Sequence, residues 1–201
     1  MRTRRALIHA AAEVFANEGY VPASLPAISE RAGVSRGALH FHFKSKDALA
    51  LAVEEEAAHA LDGVIERAQE YPVRSRLRLL AEVAADLAAV VESDVVMRAG
   101  FQMDGDITRK GGTALFRRWQ EWVGHVLRQA EREGELADGV SWQAVETAVV
   151  TSTVGLQALA ARHEDWRAPE RVSQVWDVLL RASTGRPVPA PAAEQIAAPS
   201  A

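Results

Sequence analysis

Cysteine is absent from all 201 residues. That excludes disulfides, thiolate zinc sites and a thiol nucleophile. No apolar run approaches the roughly 20 residues that a membrane-spanning helix needs. The start, "MRTRR", leads into an amphipathic stretch and not into a signal-peptide core. Proline and glycine are sparse over long stretches, and no convincing period-2 pattern appears. The expectation is a soluble, intracellular, all-α protein with a real core, since 48% of the chain is hydrophobic.

Base is also in short supply, with 23 Lys and Arg against 27 Asp and Glu, for a net charge of −4. The little there is sits at one end. Residues 1–46 hold seven basic and three acidic residues, a net of +4, which leaves −8 for the remainder. A basic head on an acidic body suggests that the head meets a polyanion.

Helical period and cap signals divide the chain into about nine helices. The first carries Ile8, Ala11, Ala12 and Phe15 on one face and ends at "NEGY" (17–20). Ser24 caps a short second helix, "AGVS" (32–35) turns, and Ser35 caps a two-turn third helix. A long fourth helix runs from about Lys46 to Glu70, and "YPV" (71–73) interrupts it. The remaining five are placed near 74–91, 94–103, 113–133, 141–162 and 168–183, with "DGDITRKGG" (104–112) as a charged loop. This gives a DNA-binding head at 1–46, a ligand-binding and dimerisation domain at 47–183, and a tail at 184–201 too rich in proline and alanine to fold.

Helices two and three, joined around Gly33, read as a helix-turn-helix. Val34 plugs the gap with Ile28 and Leu39, while Ala38, Leu39 and Phe43 face inward. That leaves Arg36, Gly37, His40, Phe41 and His42 on or near the outer face. Small residues at a helix start admit it to the major groove, where Arg36 reaches guanine O6 and N7. Ser24, Ser35, His40, His42 and Lys46 suit phosphate oxygens, with helix N-termini adding N–H donors. A metal site fits poorly, because His40 and His42 lie about 200° apart around a helix. The plain alternative is a solvated turn between core helices.

These residues resemble the tetracycline-repressor (TetR) family of transcriptional regulators. The matching pieces are Ser24, Ile28, "AGVS", Gly37, Leu39, "HF" (42–43), Lys46 and Leu49, spread over about 45 residues. The resemblance implies a homodimer with two DNA-binding heads on a palindromic operator, and a helical body that takes a small molecule and dimerises through its last two helices. A narrower resemblance, in "GALHFHF" (37–43), "RAGFQM" (98–103) and "FRRWQEWVGHVLRQAEREGEL" (116–136), is to the γ-butyrolactone autoregulator receptors of antibiotic-producing actinobacteria. His40 departs from that subgroup, which usually has tyrosine there. It brings a shorter reach and a charge that depends on pH.

In the body, Trp119 lies on the apolar stripe of the seventh helix, and the resemblance implies a ligand role for it. Phe101, Met97 and Met103, with Ser152 or Thr153 on an otherwise apolar eighth helix, complete a candidate pocket. An ordinary core, with the hydroxyls satisfied by i−4 carbonyls, explains the same residues. The ninth helix repeats Val172, Val175, Trp176, Leu179 and Leu180 at helical spacing. Together with Gly155, this is read as a dimer seam, with Val172, Trp176 and Leu179 upon it. The alternative is that these groups only close the monomer core.

The expectation is therefore a ligand-responsive repressor, with no cofactor, no metal and no enzymatic activity. Its effector would be a γ-butyrolactone, furan or butenolide signal, or an antibiotic. The alternatives are a related regulator of efflux or metabolism with another hydrophobic ligand or none, and a helical enzyme. The enzyme lacks support, since His125 and His163 stand alone and there is no HExxH.

Overall fold

The computed structural model describes residues 2–70, 75–105, 114–166 and 168–185. Nine α-helices and two short 3-10 turns make up the regular structure among them: α1 (Arg2–Glu18), α2 (Leu25–Arg31), α3 (Arg36–His42), α4 (Lys46–Arg67), α5 (Arg76–Ser93), α6 (Val95–Asp104), α7 (Ala114–Arg132), α8 (Trp142–Ala160) and α9 (Pro169–Ser183). The break at "YPV", most of the loop "DGDITRKGG" and the tail from residue 186 lie outside the described residues. None of the described helices is long and apolar enough to cross a membrane.

Serine starts most of these helices. The hydroxyls of Ser24, Ser35, Ser45, Ser75 and Ser141 each accept from the backbone N–H three residues on. Each such cap satisfies a donor that the first helical turn leaves over, worth about 1 kcal/mol. Gly19 (φ +86°) ends α1, and Gly33 (φ +65°) makes the turn between α2 and α3, both in the left-handed region that side chains resist.

One core runs through the molecule, from Leu7, Ile8 and Phe15 in α1 through Leu49, Val53 and Leu61 in α4 to Trp119, Val123 and Leu127 in α7. Helix α6 packs on α1 and on α4, and α4 continues beside α7. The α4–α6 approach is set by Gly100. A Cβ there would stand 2.5 Å from Ala57 Cβ and 2.9 Å from Leu115 Cδ1, too near for any real methyl group.

A polar clamp closes the far side. Glu135, just after α7, accepts from the N–H groups of Arg76 (2.6 Å) and Leu77 (3.1 Å) and from the Ser75 hydroxyl (2.7 Å). The Arg76 guanidinium holds Glu133 at 3.0–3.1 Å. Burial raises the Glu135 pKa. The Arg76 N–H, Ser75 hydroxyl, Leu77 N–H and Arg76 charge together outweigh it and hold the carboxyl below its ordinary value.

Candidate DNA interface and ligand clefts

The head presents α3 on a closed apolar base. Leu39 and Phe43 are buried, and Ile28 of α2 is buried beneath them. Val34 packs against this core, and its N–H bonds the Ser29 carbonyl at 3.0 Å, which fixes the turn. With one side of α3 so committed, Arg36, Gly37, His40 and Phe41 are all exposed. Phe41 is 79% exposed, an unusual state for a large apolar ring, and it meets the half-buried His42 edge-on at 5.2 Å. Ser24 and Ser35 are exposed at the helix starts, each hydroxyl accepting a capping bond. The strip has the composition of a duplex reader: an arginine, a glycine beside it, hydrogen-bonding rings and one apolar ring for a thymine methyl.

Lys46 is placed differently from the phosphate contact expected of it. Its Nζ donates to the carbonyls of Tyr20 (2.8 Å), Val21 (3.0 Å) and Ala23 (2.9 Å) and sits 4.5 Å from the centre of the Tyr20 ring. An ammonium has three protons, and three carbonyls take them. The chain between α1 and α2 thus wraps the start of α4. Asp47, next along, accepts from the Tyr20 hydroxyl. Nothing in the sequence distinguished this role, because the carbonyls belong to residues more than twenty positions away. Ser45, the cap of α4, was also missed, although Ser45-Lys46-Asp47-Ala48 is an ordinary helix start.

In the body, Trp119, Phe101, Met97 and Met103 are fully packed, at 0–2% exposure. Trp119 donates from Nε1 to Thr153 Oγ1 (3.2 Å), and that hydroxyl donates to the Val149 carbonyl (2.9 Å). Trp119 also stacks on Trp122, with centroids 5.3 Å apart. In this structure these residues form a core with its polar groups satisfied. Ser152 and Thr153 instead border a void of about 30 Å³ between α5, α8 and α9, with room for water but not for an effector.

Val172, Trp176 and Leu179 border the same void. They face α5 and α8 of their own chain; Trp176 is buried there, while Val172 and Leu179 are half-buried and keep part of their surface free. Val178 of α9 is a large apolar side chain that does stand outward, 55% exposed. Gly155 has open space where a Cβ would project.

Two larger openings exist. A cleft of about 360 Å³ lies between α5, α6, α8 and α9, and both Arg98 and Gln102 border it. This i, i+4 pair was visible in "RAGFQM", but spacing alone does not tell a cleft from solvent. A shallower groove of about 990 Å³ separates head from body, bordered by His9 and Glu13 of α1, Glu56 and His59 of α4, and Arg98. No cluster of three metal-ligating side chains is present among the described residues.

Comparison with known proteins fits this geometry. Residues 7–53 match the family model for bacterial regulatory proteins of the tetR family. The A-factor receptor protein of Streptomyces griseus is 29% identical over 182 residues, which is 90% of this chain, and the chain spans only 63% of that relative's length. A crystal structure of a γ-butyrolactone receptor (ArpA-like protein) superposes with TM-score 0.78 at 27% identity, over 91% of this chain and 88% of that one. CprB from Streptomyces coelicolor, solved in complex with its biological operator sequence, gives TM-score 0.77 at 28% identity, over 93% of this chain and 90% of that one. Residues 7–53 thus carry the DNA-binding domain of the tetR family, and over most of its length the chain is similar to the γ-butyrolactone receptors.

Proposed function

We propose that this chain is a ligand-responsive transcriptional repressor, working in the cytoplasm as a homodimer on a palindromic operator. Residues 1–46 serve as the DNA-binding head and 47–183 as the ligand-binding and dimerisation domain. The observation that carries the reading is the exposed strip of Arg36, Gly37, His40 and Phe41 on a helix whose other side is buried. Arg36 reads guanine, Phe41 covers a thymine methyl, and Ser24, Ser35, His40 and His42 hold phosphates. The A-factor receptor and the operator-bound CprB support the assignment by likeness.

A two-fold dimer through α8 and α9 uses the surface that the monomer leaves uncovered: Thr151, Ala158 and Val178 are exposed, and Gly155 is open. Two heads then meet successive major grooves about 34–36 Å apart. Helix α4 begins beside the DNA-facing turn and ends in the body, so it serves as the lever. A signal of the γ-butyrolactone, furan or butenolide type, or an antibiotic, that prefers the body with heads at another spacing releases the DNA. The regulated process is then antibiotic biosynthesis.

The test is selection from random duplexes by the full-length protein, with sedimentation alongside. The expected result is a palindrome with two half-sites about one helical turn apart, bound by a dimer. Val178→Asp should weaken the dimer with the fold intact. A monomer that selects no sequence would overturn the proposal.

A further inference from the structure

We propose that the cleft between α5, α6, α8 and α9 is an effector site for an amphipathic monoanion, held by Arg98, and that Arg98 couples this cleft to the groove between head and body. The proposal rests on the reading of the chain as a ligand-responsive regulator and narrows its ligand to the acids among the classes named there, setting aside the neutral lactones.

At about 360 Å³ the cleft is within the roughly 300–1,000 Å³ usual for small-molecule sites. It exists because α5 turns three alanines toward it, with Val91 and Glu92 beyond them. Ala85, Ala88 and Ala89 fall at i, i+3 and i+4, where leucines would fill the space. Leu156 and Val172 supply further apolar wall. Against these walls stands Arg98, half-buried on α6. Its Nη1 donates to the main-chain oxygen of Glu92 (2.8 Å), which fixes the orientation of the guanidinium plane. Gln102, one turn further on, and Gln157, across the cleft on α8, add amide groups.

An oriented guanidinium in an alanine-lined cleft selects for charge. A carboxylate matches its fork with two charge-assisted hydrogen bonds, which a neutral hydroxyl or ester does not supply. The Glu92 carboxylate borders the same cleft and is exposed. It disfavours a second negative charge, hence a monoanion with an apolar tail.

Arg98 borders the second groove as well, among Glu13, Glu56 and Asp94 and the bases Arg5, His9, Arg31 and His59. Glu13 pairs there with Arg31 and Glu56 with Arg5, so Arg98 adds to the positive charge of the groove. An anion in the cleft neutralises that charge at the seam where α1 and α4 meet the body. The two states then differ in head placement as well as in ligand affinity.

The test uses the full-length protein with straight-chain carboxylates from hexanoate to dodecanoate and the 1-alkanols of equal length, by calorimetry below their micelle concentrations. The acids should bind at least about tenfold more tightly than the alcohols, the size of one charge-assisted contact. Arg98→Gln should remove that preference, and Ala88→Trp should block acid and alcohol alike while leaving Arg98 in place. The best acid should also weaken binding to the selected duplex several-fold in the parent and not in Arg98→Gln. The site is overturned if no acid binds, if alcohols match acids, or if either variant binds acids as the parent does. Binding through Arg98 without an effect on DNA overturns the coupling. Selection of a palindrome by ligand-free protein is scored separately, so failure of the cleft and failure of the repressor reading give different results.

Discussion

In α3 and at its cap, Leu39 and Phe43 are buried while Arg36, His40 and Phe41 a few positions away stand in solvent. On α7 and α8 the distinctive groups go the other way: Trp119 is fully enclosed, and its indole N–H ends on Thr153. The head holds its shape with little material, through serine caps, two left-handed glycines and the Lys46 clamp, and keeps its reactive surface outside. The body spends its large side chains on packing and leaves an alanine-lined cleft where they are missing. A surface that reads a duplex has to be rigid and complete before its partner arrives. A cavity that admits an effector has to be incomplete.

The largest expected effect sharpens this contrast inside the body. Trp119→Ala should cost about 3–5 kcal/mol of stability in chemical denaturation, as for a core tryptophan. A cost under about 1 kcal/mol would mean that Trp119 sits in slack space, as a ligand wall would.

Lys46→Met comes next and probes the head. Losing three charge-assisted bonds to carbonyls should lower stability by about 1–3 kcal/mol. Operator affinity should fall only as far as the fold does, with the salt slope unchanged. A slope smaller by about 1 in a stable variant would restore Lys46 as a phosphate contact.

Arg36→Ala should leave the melting temperature alone and cost about 1–3 kcal/mol of operator affinity, with relaxed preference at one base position per half-site. Unchanged affinity would remove Arg36 from base readout.

The smallest effect belongs to Glu135→Gln, about 1 kcal/mol at neutral pH, the scale of a lost helix cap. Its pH dependence carries the information. The carboxyl's pKa is lowered in the folded protein, so its contribution is fully present above the unfolded value of about 4.3 and is lost as pH falls through the lower folded value. The gap between parent and variant should therefore close in acid. A constant gap across that range would assign the effect to packing.

The head was legible because its signals are local. Serine caps, a glycine at the turn and the i, i+3, i+4 apolar set sit within a few residues of what they control, so both short helices and the outward strip were readable. Lys46 escaped because its partners come from the α1–α2 turn, far off in sequence. In the body, periodicity found the stripes but could not say what each one faced. Val172, Trp176 and Leu179 make an equally good seam or core on spacing alone, and within one chain they border a void against α5 and α8 with Val172 and Leu179 still half-exposed. The cleft was legible only in its polar groups: Gln102 and Gln157 stand out in the sequence as ligand candidates, but the space they border is opened by alanines, which carry no signal of their own.

Gly100 has a consequence for anyone building new sensors on this head. Helix α6 meets α4 at a distance that admits no methyl group, with Ala57 directly opposite. The two helices cannot be taken from different parents unless both bring a compatible small pair, since a side chain added at either position has nowhere to go. A chimera that joins this head to another regulator's body therefore needs its junction before Ala57, early in α4, so that the second half of α4 and all of α6 arrive together.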